Sequence, residues 1–290
     1  METTTIATPT GRQLEVRLVG DLDQPVVVYS HGTPSAAVPF GLLEESAARQ
    51  GLSVLSWSRP GYGSSSPQLG RHVCDVVADA QVILAELSIE RFGALGWSGG
   101  GPHALALGAA GMGCRGVVTI GGVAPSDAAG LDFLAGMAQQ NVEEFTAAQH
   151  DPETFAELLA IGSQVLPLVT QESLVEALRG LLAPSDVAMV DGPLGEHLVA
   201  SLAAAVQQGT DGWRDDDLAF LKPWGFELDD VAVDVVVVQG TEDQMVPLSH
   251  GRYLAAQLPQ ATWIELRGAG HLSPFSMIDS LLGTLADQLG

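Results

Sequence analysis

Ser98 lies in Gly96-Trp97-Ser98-Gly99-Gly100, a Gly-x-Ser-x-Gly between an apolar run at 92–97 and an Ala/Leu-rich stretch that starts near Pro102. The run reads as a strand and the stretch as a helix, the context in which such a serine stands on a sharp strand-to-helix turn. Small residues at 96, 99 and 100 let the turn pack closely and lift the hydroxyl above the sheet, at the positive end of the helix. A serine hydroxyl is a weak nucleophile at its free pKa, so it needs a base, and the base needs an acid to orient it. With this turn the acid comes next in the chain and the histidine last. Two loops after expected strands supply them. Gly240-Thr241-Glu242-Asp243 offers Asp243, with Glu242 as a rival, and Gly268-Ala269-Gly270-His271 offers His271 just before the last helix. Asp127 also follows a strand and stands as an alternative acid.

A developing oxyanion needs two fixed N–H donors. Gly99, directly after the serine, provides one. The second falls in His31-Gly32-Thr33-Pro34, where Pro34 has no N–H and Thr33 or Gly32 must donate; Thr33 is the candidate. His31 reads as a structural side chain that ties this loop down. His103 reads as packing or hydrogen-bonding on the helix after the turn, and His250 as a surface residue. His72, His150 and His197 have no acidic partner that spacing identifies.

These loops need a sheet to hold them. Short β-branched runs at 13–19, 25–30, 53–56, 92–97, 116–120, 234–239 and 262–266 alternate with amphipathic stretches at 38–50, 73–87, 99–109, 249–258 and 276–288, which is the pattern of an α/β chain built from βα units. Several runs are apolar at consecutive positions, as expected of strands covered on both faces. Between 123 and 213 the rhythm changes to helical segments alone, at 133–150, 152–166, 171–182 and 194–208. This stretch holds thirteen carboxylates and one basic residue, Arg179. It reads as a solvated helical insertion, or as a negative field at a substrate entrance that disfavours anions. Trp213, Trp224 and Phe226 form an aromatic group where the insertion rejoins the sheet.

The chain has 290 residues, 46% of them hydrophobic and 16% charged, enough for a packed core. Its formal charge of −23 repels phosphate and anionic lipid, which argues against nucleic-acid or membrane partners and leaves a small-molecule substrate. Two cysteines, the lack of a leader pattern and the lack of a membrane-length apolar run lead to the expectation of a cytoplasmic protein. Gly111 to Gly116 fits Gly-x-Gly-x-x-Gly but follows a helix and precedes a strand, the reverse of a dinucleotide site. Without metal or nucleotide motifs, neither a cofactor nor a metal is expected.

Taken together, His-Gly-Thr-Pro at 31–34, Ser-Arg-Pro-Gly-Tyr-Gly-Ser at 58–64, Gly-Trp-Ser-Gly-Gly-Gly-Pro at 96–102, Gly-Thr-Glu-Asp at 240–243 and Gly-His at 270–271 resemble the α/β-hydrolase fold superfamily with a helical cap. The resemblance implies a mostly parallel central sheet flanked by helices, with an all-helical cap inserted after the sixth strand. The core would comprise 1–122 and 214–290, and the cap 123–213. It also implies Ser98, Asp243 and His271 as a catalytic triad and Thr33 and Gly99 as the oxyanion hole. A serine hydrolase of esters or lactones is expected, with turnover rising through an apparent pKa near that of free histidine, about 6.5. A weaker similarity to proline iminopeptidases keeps amide hydrolysis open, with Glu143 or Glu144 to hold an amine. C–C bond hydrolysis and a non-catalytic small-molecule receptor are the remaining alternatives.

Overall fold

The computed structural model describes residues 2–290. Among them, eight strands form one sheet: β1 (Glu2–Ala7), β2 (Gln13–Val19), β3 (Val26–Ser30), β4 (Ser53–Trp57), β5 (Phe92–Trp97), β6 (Cys114–Ile120), β7 (Asp234–Gly240) and β8 (Ala261–Leu266). The spatial order is β1-β2-β4-β3-β5-β6-β7-β8. β1 and β2 pair antiparallel, as do β2 and β4, and every other pair is parallel. The fold is therefore α/β with a mostly parallel sheet.

Helices cover both faces. α1 (Gly41–Arg49) packs with the C-terminal helix on one face, while α2 (Val76–Glu86) and α3 (Gly100–Ala109) lie on the other. Along β7, Val235 and Val237 enter one apolar cluster and Val236 and Val238 the other, as the two-residue period of a strand requires. β3 and β5 are buried at every position, which is why they read as unbroken apolar runs.

Between β6 and β7 lie only helices and turns: α4 (Gln139–His150), α5 (Pro152–Val165), α6 (Leu174–Ala177), α7 (Pro184–Val187), α8 (Pro193–Ala205) and α9 (Asp211–Phe220). α10 (Leu248–Gln257) and α11 (Ile278–Leu289) close the chain. The expected helix at 133–150 begins only at 139, because Ala138 is extended and its N–H bonds Gln244 O rather than a helical carbonyl. The expected helix at 171–182 shrinks to the four residues of α6, and the chain restarts at Pro184 and Pro193, each at the first turn of a new helix. β1 and α9 were not expected. Residue 213 lies within α9, so the helix runs from the insertion back toward the sheet without a break.

Candidate active site

The parallel strands β3, β5, β7 and β8 all point their C-terminal ends the same way, so the loops bearing Thr33, Ser98, Asp243 and His271 leave one edge of the sheet. Ser98 follows β5 directly and has φ of +55°, a left-handed conformation that costs a non-glycine residue on the order of 1–3 kcal/mol. Its surroundings enforce this turn. Ser98 N–H bonds Ile120 O at 2.9 Å, and α3 lies so close to β3 and β5 that a methyl group on Gly96 would fall 2.4 Å from Gly100 O. One on Gly100 would fall 2.0 Å from Ser30 O.

His271 Nδ1 donates to Asp243 Oδ2 at 2.7 Å, and both side chains are buried. The carboxylate is itself immobilised: Oδ1 accepts the N–H groups of Met245 and Val246, each at 2.9 Å, and Oδ2 also accepts Gln239 Nε2 at 2.9 Å. An acceptor at Nδ1 fixes the proton there and leaves the Nε2 lone pair available. Nε2 is buried without a hydrogen-bond partner among the described residues, and His271 lines the same cavity as Ser98. Burial pushes His271 down, but the charge and hydrogen bond of Asp243, joined by the charge of Asp186, outweigh it and leave the imidazole above its ordinary value. Asp127 and Glu242 are both exposed and make no bond to His271.

Gly99 and Thr33 are also neighbours, since a methyl group on Gly99 would lie 2.4 Å from Thr33 Oγ1. Arg59, unassigned in the sequence reading, orients this loop. Its Nη2 donates to Gly32 O at 2.9 Å, and His31 Nδ1 donates to the same oxygen at 2.8 Å. In a trans peptide C=O and N–H point in opposite directions, so anchoring Gly32 O turns the Thr33 N–H the other way. His31 thus ties the loop down, with Nε2 accepting the Arg59 N–H at 3.2 Å.

Beneath the loop lies Asp216 of α9, fully buried. It accepts Arg59 Nη2 at 2.6 Å, Arg71 Nη1 at 2.5 Å, Thr33 Oγ1 at 2.6 Å and Tyr62 OH at 3.0 Å, with His103 Nε2 at 3.4 Å. Burial alone would raise its pKa; the two guanidinium charges prevail and hold it well below the usual carboxylate range. Removing one partner of a buried ion pair typically costs about 3–5 kcal/mol. Asp216→Asn is expected to lose stability of that order in urea unfolding, whereas Asp279→Asn, at the exposed Arg49 pair, leaves the midpoint in place. Equal midpoints for the two variants would contradict a structural role for this carboxylate.

Three other histidines are neutral fixtures. His103 has an acceptor beside each ring nitrogen, Val73 O at 3.3 Å and Asp216 Oδ1 at 3.4 Å, and its single proton when neutral serves one of them at a time; burial, with the Arg59 charge, pulls it down to about 4. His250 corrects the expectation of a surface residue: it is fully buried, accepts Ala124 N–H at 3.1 Å, donates to Phe133 O at 2.9 Å and is likewise pulled down to about 4 by burial. His197 donates to Pro39 O at 2.9 Å.

Ser98 and His271 open onto a cavity of about 270 Å³ walled on its far side by the helical insertion. Most of that wall is apolar, including Leu181, Leu198, Leu202 and Phe145. Its titratable residues besides His271 are Glu144 and Asp217, and among the described residues no Lys or Arg lines it. Burial raises both carboxyl groups, Asp217 further because of the Glu144 charge; Trp213 Nε1 donates to Glu144 Oε1 at 2.8 Å. Trp213 therefore both packs the core and lines the cavity, while Trp224 and Phe226 pack under the sheet. Glu143 is exposed. Among the described residues, no group of three or more His, Cys, Asp or Glu could hold a metal ion, and no helix is long and apolar enough to cross a membrane.

The family model described as the alpha/beta hydrolase fold matches residues 25–276, most of the chain. The chain belongs to the α/β hydrolase fold family. Among characterised relatives, it is 25% identical over 272 residues to a 2-hydroxy-6-oxononadienedioate/2-hydroxy-6-oxononatrienedioate hydrolase of Cupriavidus pinatubonensis, covering 91% of this chain and 86% of that one. Among solved structures, an esterase from Rhodococcus sp. ECU1013 superposes with a TM-score of 0.67 at 18% identity, over all of both chains. The enol-lactonase of Burkholderia xenovorans LB400 gives 0.65 at 20% identity, over 99% of each. At such identities the structural likeness speaks for the α/β hydrolase fold alone.

Proposed function

We propose that this α/β hydrolase is a serine hydrolase that cleaves a carboxylic ester or lactone of a small, mostly neutral and apolar substrate through an acyl-enzyme. The observation that carries this reading is the His271–Asp243 pair, whose unpartnered Nε2 shares a cavity with Ser98. Nε2 takes the Ser98 proton, Oγ attacks the carbonyl carbon, and the N–H groups of Thr33 and Gly99 hold the oxyanion. Collapse of the tetrahedral intermediate expels the alkoxide, protonated by His271, and a water activated by the same imidazole then releases the acid. Asp243 keeps the imidazole in its tautomer and stabilises the imidazolium. In this reading residues 123–213 form a cap over a core of 1–122 and 214–290, and the cap's apolar side chains select the substrate.

The cavity argues against the diacid chemistry named for the C. pinatubonensis relative, because it presents two carboxyl groups, and among the described residues no Lys or Arg lines it to pair with a substrate carboxylate. A second reading has one specific support: Glu144, with Asp217, is placed to hold a protonated amine, as amide hydrolysis at a peptide end would require. A panel of p-nitrophenyl esters, lactones and aminoacyl amides separates the two. Turnover of neutral short-chain esters or lactones, with aminoacyl amides inert, supports the ester reading. Activity confined to aminoacyl amides replaces it with the second.

A further inference from the structure

Asp186, in α7 of the insertion, is completely buried and has no cationic partner among the described residues. Its oxygens are taken up by main-chain donors of a distant segment: Oδ2 accepts His271 N–H at 2.9 Å, and Oδ1 accepts those of Leu272 and Ser273, both at 2.8 Å. Ala183 N–H, at 3.1 Å, completes the set. Beside it Ser185 Oγ accepts Gly270 N–H at 3.1 Å, and a methyl group on Gly270 would fall 2.0 Å from Asp186 Oδ2, so only glycine lets the carboxylate approach. A buried carboxylate is costly unless charge-assisted hydrogen bonds compensate it, and here three of four come from the turn that begins at His271.

We propose that Asp186 is a positioning residue for the catalytic base: it reaches from the helical insertion to clamp the 271–273 main chain and so holds the His271 ring between Asp243 and Ser98. This rests on the serine-hydrolase reading above. It assigns the insertion a share in assembling the catalytic groups as well as in shaping the pocket.

The clamp also carries charge. The charged groups facing the ring are Asp243, from the loop after β7, and Asp186, from α7; Trp97 at the end of β5 and Gly121 after β6 are uncharged neighbours, while Glu144 and Asp217 face the same cavity from farther up its wall. Burial lowers His271, Asp243 raises it, and Asp186 adds to the rise. The base must be neutral to accept a proton, so the acid limb of kcat/KM follows its pKa and in the wild type lies above the free value of about 6.5. Removing the Asp186 charge moves that limb to lower pH.

The test uses the full-length protein, p-nitrophenyl acetate and a pH series. Asp186→Asn is expected to lower kcat roughly 10–100-fold through misplacement of the base, with little change in KM, and to move the acid limb down. Asp186→Glu keeps the charge but displaces it by one methylene. It should lose kcat while the limb stays nearer the wild-type position, and it serves as the decisive variant if Asp186→Asn does not fold. Wild-type kcat in Asp186→Glu, or an unmoved limb in a folded Asp186→Asn, overturns the proposal. Ser98→Ala run in parallel keeps the two readings apart. If it retains hydrolysis, the serine mechanism is wrong; if it is inactive while Asp186→Asn behaves as wild type, only the role of Asp186 is lost.

Discussion

Ser98→Ala is expected to lower kcat by roughly 10⁴–10⁶-fold and to abolish labelling by a fluorophosphonate probe. The loss is large because, in the proposed mechanism, the hydroxyl is the atom that forms the covalent intermediate, and the base and the acid act only through it. In that mechanism, what would survive is water attack at a carbonyl still polarised by the Thr33 and Gly99 N–H groups. KM for a small ester should change little, because the hydroxyl contributes little to ground-state binding. Intact hydrolysis in this variant, or labelling at another residue, would remove Ser98 from the mechanism.

Asp243→Asn is expected to cost about 10⁴-fold in kcat, and the hydrogen-bond pattern says why. Met245 and Val246 are main-chain donors fixed on Oδ1, so the asparagine is expected to keep its oxygen there and turn its NH₂ toward His271, giving up the bond from Gln239 Nε2. Nδ1 then faces a donor, the ring proton moves to Nε2, and the nitrogen facing Ser98 can no longer accept. The side chain is nearly isosteric, so the protein should remain folded, which unfolding midpoints can verify. Asp127→Asn, at an exposed position, should leave kcat within about twofold. The reverse ranking would transfer the acid role to Asp127.

The strand β5, the turn at Ser98 and the helix α3 were legible because each rests on local rules: an apolar run, glycines where backbones touch, and Ala and Leu beyond. Asp243 and His271 could be picked out because each ends a loop that follows a strand. The rest depends on contacts remote in sequence. Asp216 meets Arg59 and Arg71 across 157 and 145 residues, and Asp186 meets His271 across 85, separations that no periodicity marks. Asp215, Asp216 and Asp217, which no motif singles out, are all three buried. β1 is a polar edge strand with Ile6 as its one large apolar residue, so neither hydrophobicity nor alternation flags it. The expected 152–166 matches α5 to within one residue, whereas the helix expected from 133 starts only at 139, because that end is set by what it docks against at Ala138 rather than by residues near it.

The knot around Asp216 has a consequence for how the protein breathes. Its carboxylate ties the 31–33 loop, the segment bearing Arg59, Tyr62 and Arg71, and helix α9 to a single point, and each guanidinium set free there would be left uncompensated in the interior. These three segments are therefore expected to open to solvent together, which hydrogen exchange would read as one protection factor shared by their slowest amide protons, that of a common cooperative unit.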